Sequence, residues 1–418
     1  MQSLYIQGGT KLNGECSIAT SKNALLPIIA GSIMAQSPVY VHKCIRLIDV
    51  DSMVDILASI GCDVAFVGDT LVVDNSHICS YSIREEYTKK IRSSIFMLGP
   101  LLSVFHMAKV AYPGGCNIGA RPIDLHLKGL RELGVKIEEK HGYIYCDGTH
   151  MKASEIHLDF PSVGATENLI MASVMLKGKT VIHNVAREPE IVDLADFLNS
   201  MGAKVSGAGT STIVVHGVAK LHGTEYTPIK DRIICGTYLI ACAITGGKVK
   251  LIGSPKEHNM ALLSHLKSAG ASVNYGKNYI TISCAKRLNS SPNIVTQVFP
   301  GFPTDLQSQM LALQCTTHGT SMITENLFET RFKMCTELTK MGADITVKDR
   351  LAVVRGVPML YGADVDAFDL RGGAGLVLAG LGASGYTTVH NVEHIDRGYY
   401  HIEDDLTILG ANIKRIIQ

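Results

Sequence analysis

Apolar positions recur along this chain in stretches of helical period, and six of those stretches end on one signature. An apolar residue is followed by Gly, a small or apolar residue, a polar residue and then Val or Ile. The copies are Ile60-Gly61-Cys62-Asp63-Val64, Leu133-Gly134-Val135-Lys136-Ile137, Met201-Gly202-Ala203-Lys204-Val205, Ala269-Gly270-Ala271-Ser272-Val273, Met341-Gly342-Ala343-Asp344-Ile345 and Leu409-Gly410-Ala411-Asn412-Ile413. Successive glycines lie 73, 68, 68, 72 and 68 residues apart. The stretch before each glycine predicts an amphipathic helix, as in Pro189–Met201, where Ile191, Val192, Leu194, Ala195 and Leu198 share a face. The glycine itself suits the left-handed cap of a helix C-terminus. Val/Ile alternation then resumes, predicting strands at Lys204–Ser206 and Thr212–His216 around a Gly-rich turn. Each unit therefore predicts about two helices and three or four strands.

Strands alternating with helices favour parallel pairing, whereas short turns such as Gly207–Gly209 and Gly276–Asn278 require antiparallel neighbours. The expected class is α/β with mixed sheets. Six units divide naturally into two domains of three, with a boundary near Thr227–Arg232. An open solenoid is the alternative arrangement, disfavoured because the helices are apolar over wide faces and should pack inward.

Composition narrows the function. The 418 residues exceed one ordinary core, and 46% hydrophobic against 18% charged residues describes a folded globular chain. Lys+Arg (39) nearly equals Asp+Glu (38), which leaves no basic excess for nucleic acid or a membrane surface. Any anion binding must come from local placement of arginines. Eleven cysteines without a CxxC pair argue against structural zinc and a disulfide framework, and for a reducing, cytoplasmic setting. The first residues lack the pattern of a signal peptide, and apolar runs such as Ala24–Ala35 are broken by Pro or Ser, so no membrane segment is expected.

Five groups of residues are candidates for chemistry. Cys116 lies in Tyr112-Pro-Gly-Gly-Cys-Asn-Ile-Gly-Ala-Arg121, a thiol among glycines with a guanidinium nearby to lower its pKa. Lys22-Asn23 opens an apolar helix and is either a solvated helix start or an anion site built on the ammonium and helix amides. Asp305 follows the turn Phe299–Thr304 and reads as an N-cap carboxylate or as a general base tuned upward by an apolar wall; the pattern favours the cap. Arg92, Arg331, Arg371 and Arg397 are spread over several repeats, singly suited to surface ion pairs and jointly to a polyanionic substrate. Asp159–Asn168 places Ser162, Val163 and Gly164 at a helix start, a neutral phosphate cradle. The Gly-Lys-Ser/Thr of a Walker A loop is missing, as is a dinucleotide fingerprint in its context, which excludes ATP and NAD.

In this order and spacing, end to end, these motifs resemble one family. They are Gly-Gly-Thr-Lys-Leu-Asn-Gly14, Lys22-Asn23, Pro-Gly-Gly-Cys116, Gly-Ala-Arg-Pro-Ile-Asp124, Phe-Pro-Ser-Val-Gly-Ala-Thr-Glu-Asn168, Arg-Glu-Pro-Glu-Ile-Val-Asp193, Phe-Pro-Thr-Asp305 and His-Ile-Asp-Arg397-Gly. The chain is similar to the UDP-N-acetylglucosamine 1-carboxyvinyltransferases, enolpyruvyl transferases that open peptidoglycan synthesis. The resemblance implies a two-domain inside-out α/β barrel of six repeated units with its active site in the interdomain cleft. It assigns residues 22–229 to the first domain, and 1–21 with 230–418 to a discontinuous second.

The implied substrates are phosphoenolpyruvate and UDP-N-acetylglucosamine, with no metal and no organic cofactor. Cys116 matches the proton donor, which also forms an adduct with phosphoenolpyruvate. Asp305 matches a base or orienting group at the sugar hydroxyl. Lys22, Arg121 and Arg397 match residues that hold the phosphate and carboxylate of phosphoenolpyruvate, with Arg331 and Arg371 close by. Asn23 matches a contact to the amino sugar. Arg92, Arg121, Pro122, Ile123, Asp124, Leu125, Ser162, Val163 and Gly164 match the uridine-diphosphate region, and Leu327 a backbone contact to it. Ile234 stands where the family usually has Glu, Thr330 where it has Asn, and Lys333 also departs. These departures leave a divergent second copy as an alternative, beside a binding-only paralogue and the sister transferase acting on shikimate 3-phosphate.

Overall fold

The computed structural model describes residues 2–114 and 122–417. They form two compact units, one running from Thr20 to Ile229 and the other joining the residues up to Ala19 with those from Lys230 onward. Cys116 and Arg121 lie outside the described residues.

All six signature glycines adopt positive φ, between 90° and 104°. Each ends its helix in the same way. The N–H after the glycine reaches back five residues to a leucine carbonyl: Cys62 to Leu57, Val135 to Leu130, Ala203 to Leu198, Ala271 to Leu266, Ala343 to Leu338 and Ala411 to Leu406, at 2.9–3.1 Å. This Schellman cap satisfies carbonyls that would otherwise be orphaned and turns the chain sharply into the next strand. At Gly270 the space where a Cβ would go is empty, so Gly270→Ala isolates the conformational cost. It is expected to destabilise by about 1–2 kcal/mol in urea unfolding. A loss under about 0.3 kcal/mol would contradict the cap assignment.

Each repeat contributes to a four-stranded sheet, and all six sheets share one pattern: a parallel edge pair followed by two antiparallel neighbours. Edge strands come from neighbouring repeats. Glu225–Tyr226 closes the sheet begun by Val39–Val41. Gln2–Gln7 lies between Tyr386–His390 and Asn412–Ile417, and Leu12–Ser17 pairs parallel to Gly247–Ile252. These pairings tie segments far apart in sequence together through backbone hydrogen bonds.

In each unit three apolar helices lie buried, surrounded by sheets and by the amphipathic helices that end on the signature glycines. In the unit from Thr20 to Ile229 these are Lys22–Gly31, Leu98–Phe105 and Val163–Ser173. In the other they are Arg232–Thr245, Gln307–Gln314 and Leu370–Gly382, each packed on the other two. Small residues allow that approach: a Cβ on Gly375 would lie 3.0 Å from the Ser308 carbonyl oxygen. Burying whole helices leaves their starting turns as the places where polar side chains gather. Lys22, Asn23, Ser162, Val163, Gly164, Asp305 and Arg371 fall there.

Candidate functional site

In the unit from Lys230 onward, equivalent aspartates mark the starts of the three buried helices. Asp231 accepts the N–H groups of Ile233 and Ile234 at 2.7 and 2.9 Å, and Asp369 those of Arg371 and Gly372 at 2.9 Å. These two are N-caps. Asp305, in the turn Thr304–Leu306 before Gln307–Gln314, makes no cap bond. It accepts instead from Arg331 Nη2 at 2.6 Å and from Arg371 Nη2 at 3.1 Å. Both arginines are 3% exposed, and Arg331 also approaches Asp369 at 3.8 Å. Their planes lie against Phe328 and Tyr399, with guanidinium carbons 5.2 and 5.5 Å from the ring centres.

The cap that the pattern favours for Asp305 does not form, and the upward tuning of its general-base alternative is not found either. Burial does raise its pKa, but the charges of Arg371, Arg331 and Arg232 outweigh burial and hold the carboxyl well below the usual aspartate range. A group with a depressed folded pKa contributes stability above its unfolded pKa, and loses it only as pH falls through the lower folded value. Asp305 therefore stays ionised at pH 4, where an ordinary aspartate is about half protonated. Carbon-13 NMR of the free protein is expected to show no Asp305 protonation at that pH, and Arg371→Gln to move the step upward. Titration near pH 4 in the unmodified protein would contradict this reading.

The two arginines also carry unused donors. Arg331 Nε and Arg371 Nη1 are buried with no hydrogen-bond partner among the described residues. Buried charged donors without partners are costly, and an anion's oxygens would complete them. The sequence reading missed Glu325, which is fully buried. Its carboxylate accepts from Thr304 Oγ1 at 2.8 Å, beside Asp305, and from the N–H groups of Leu327 and Phe328 at 2.8 and 3.1 Å. It thus ties the Asp305 turn to the Leu327 loop; no short motif marks it. Arg397 ends the short helix Glu393–Asp396 and is partly exposed. Ile234 is buried in the apolar core, and Thr330 and Lys333 flank Arg331.

In the unit from Thr20 to Ile229, Lys22 begins its helix behind the cap of Ser21, and its ammonium pairs with Asp49 at 2.6 Å in a largely buried contact. Asn23 follows, half-buried. The remaining candidates come from three segments knitted by Asn168. Its Nδ2 donates to the Ile95 carbonyl at 2.9 Å and lies 2.8 Å from His126 Nδ1, while its Oδ1 accepts from Gly99 N at 2.8 Å. Asn168 therefore joins the turn Arg92–Met97, which starts at Arg92, to the helix Asp124–Glu132 and to the helix Val163–Ser173, capped by Ser162. Gly164 permits that packing, since a Cβ there would meet the His126 ring at 3.0 Å. Pro122 and Asp124 are exposed, Leu125 and Val163 half-buried, and Ile123 buried.

Nine of the ten described cysteines are buried. Burial pushes thiols such as Cys146 and Cys335 up to about 12, which makes them poor nucleophiles; Cys79 is the exposed one among the described residues. Among the described residues no group of three His, Cys, Asp or Glu is placed to hold a metal, and no helix is long and apolar enough to cross a membrane.

Comparison with known proteins places this arrangement. Residues 6–406 match the model of EPSP synthase (3-phosphoshikimate 1-carboxyvinyltransferase). A UDP-N-acetylglucosamine 1-carboxyvinyltransferase 2 from Caldanaerobacter subterraneus is 51% identical, covering 100% of both chains. A UDP-N-acetylglucosamine 1-carboxyvinyltransferase 1 from Carboxydothermus hydrogenoformans is 46% identical over 100% of this chain and 99% of its own. Among solved structures, the enolpyruvyl transferase NikO from Streptomyces tendae matches with a TM-score of 0.86 at 24% identity, covering 99% of this chain and 98% of its own. EPSP synthase from Acinetobacter baumannii matches with a TM-score of 0.75 at 17% identity over 100% of both, a likeness of fold alone. The chain is an enolpyruvyl transferase of the EPSP synthase family, on the branch of its UDP-N-acetylglucosamine 1-carboxyvinyltransferase relatives.

Proposed function

We propose that this protein transfers the enolpyruvyl group of phosphoenolpyruvate to the 3-hydroxyl of UDP-N-acetylglucosamine and releases phosphate. The observation that carries the proposal is the full-length identity of 51% to a relative named for that reaction. The buried arginine pair around Asp305 supports it, because the phosphate and carboxylate of phosphoenolpyruvate need such donors.

Phosphoenolpyruvate is electron-rich at C3. Cys116 gives its thiol proton to C3, which makes C2 electrophilic. The sugar 3-oxygen bonds to C2 while its proton passes to Asp305. C3 then returns a proton to the thiolate, the C2–C3 double bond re-forms, the C2–O bond to phosphate breaks, and the departing phosphate takes up the hydroxyl proton from Asp305. Lys22, Arg121 and Arg397 hold the two anionic groups of phosphoenolpyruvate, with Arg331 and Arg371 beside them. Arg92, the segment from Arg121 to Leu125, Ser162–Gly164 and the Leu327 backbone hold the nucleotide, and Asn23 the amino sugar.

The low proton affinity of Asp305 makes it an orienting acceptor in the free protein. Once substrate anions engage Arg331 and Arg371, less positive charge bears on Asp305, and its basicity rises when the hydroxyl must be deprotonated. Phosphate release that requires both substrates tests the proposal. Turnover with shikimate 3-phosphate in place of the nucleotide sugar would assign the chain to the sister activity.

A further inference from the structure

Arg415 belongs to none of the candidate motifs. It sits in the final strand Asn412–Ile417, opposite Leu4 of the first strand. All five of its N–H donors are used. Nη1 and Nη2 grip Asp396 in a bidentate pair at 2.7 and 2.8 Å. Nε and Nη2 reach the two oxygens of Glu403 at 2.6 and 3.1 Å, and Nη1 also donates to Gln2 Oε1 at 2.8 Å. The contact is largely sheltered, with side-chain exposures of 15% for Arg415, 23% for Asp396 and 9% for Glu403.

The two carboxylates bracket one short segment. Asp396 immediately precedes Arg397, and Glu403 lies in the first turn of the helix Ile402–Ile408 that follows. Between them the chain passes through Tyr399, whose hydroxyl bonds Thr237 at 2.8 Å and Gln309 at 3.1 Å, and through His401 at φ 48°. A single rigid guanidinium therefore fixes both ends of the segment that carries Arg397. A fork of five donors does this where a lysine point charge does not.

We propose that Arg415 is a positioning residue for the reaction, holding Arg397 in the geometry that receives phosphoenolpyruvate. The inference rests on the reading of Arg397 given above. Its consequence is selective: phosphoenolpyruvate binding depends on Arg415, and nucleotide-sugar binding does not.

A double-mutant cycle tests it, with Arg415→Gln, Arg397→Ala and the double variant, and with Arg415→Lys in case the glutamine variant folds poorly. Arg415→Gln is expected to raise KM for phosphoenolpyruvate about tenfold, on the scale of a lost charge-assisted bond, with KM for the nucleotide sugar changed less than about twofold. Arg415→Lys is expected to fall between wild type and Arg415→Gln. In the Arg397→Ala background, adding Arg415→Gln should change kcat/KM by less than about twofold, because coupled residues are not additive. Equal losses in both backgrounds, or matched rises in both KM values, would make Arg415 merely structural and overturn the inference. Wild-type turnover unaffected by Arg397→Ala would instead overturn the reading of Arg397 itself. Absence of wild-type turnover would overturn both.

Discussion

Asp305→Ala is expected to reduce kcat by about 10²–10⁴-fold, the range for losing a general base, and to lower stability by about 3 kcal/mol. The two effects have separate causes. Asp305 is the shared carboxylate of Arg331 and Arg371, which are almost wholly buried, so its removal leaves two guanidiniums facing each other with less compensation. The catalytic loss comes from the missing acceptor for the hydroxyl proton. Asp305→Asn separates them. The amide keeps the shape and can still accept from one arginine, so it should regain part of the stability while remaining slow. Melting temperature and steady-state turnover on both variants give the check. Turnover of Asp305→Asn within tenfold of wild type would show that Asp305 is only an ionic anchor.

Lys22→Met should be comparably damaging by another route. The ammonium lies 2.6 Å from Asp49, and both side chains are nearly buried. Deleting one partner of a buried pair costs about 3–5 kcal/mol, because the other charge loses its counter-ion. Lys22→Met/Asp49→Asn removes both charges and should recover most of that stability. Activity should not recover. If Lys22 holds an anionic group of phosphoenolpyruvate, kcat/KM stays down about 10²–10³-fold in the double variant, the cost of removing one preorganised donor. A double variant that regains both stability and activity would limit Lys22 to a structural role.

The parts of this molecule legible in its sequence are those set by local geometry. A helix that must stop and turn into a strand needs a left-handed residue, so Gly61, Gly134, Gly202, Gly270, Gly342 and Gly410 announce six repeats at nearly regular spacing. Mixed sheets followed from short Gly turns beside strand–helix alternation. What was not legible depends on contacts between distant segments. Nothing around Gln2–Gln7 says that it pairs with Asn412–Ile417, because alternation predicts a strand without its register or partner.

The same limit explains Asp305. A Pro-rich turn before a helix is a sound cap signal, yet the preceding turn leaves the carboxylate facing Arg331 and Arg371, 26 and 66 residues away. Its pKa falls, where the general-base alternative would have it rise, because the arginine charges outweigh burial. Glu325 and Asn168 were passed over as organisers for a related reason. Each acts by bonding segments from separate parts of the chain, and neither forms a motif with its sequence neighbours.

The central claim is enolpyruvyl transfer to a nucleotide sugar, and phosphate release tests it most directly. The purified protein is incubated with phosphoenolpyruvate together with UDP-N-acetylglucosamine or with shikimate 3-phosphate, and free phosphate is followed in time. The account predicts catalytic phosphate release with UDP-N-acetylglucosamine, none with either substrate alone, and none with shikimate 3-phosphate. No release above background with the nucleotide sugar, or release only with shikimate 3-phosphate, would contradict it.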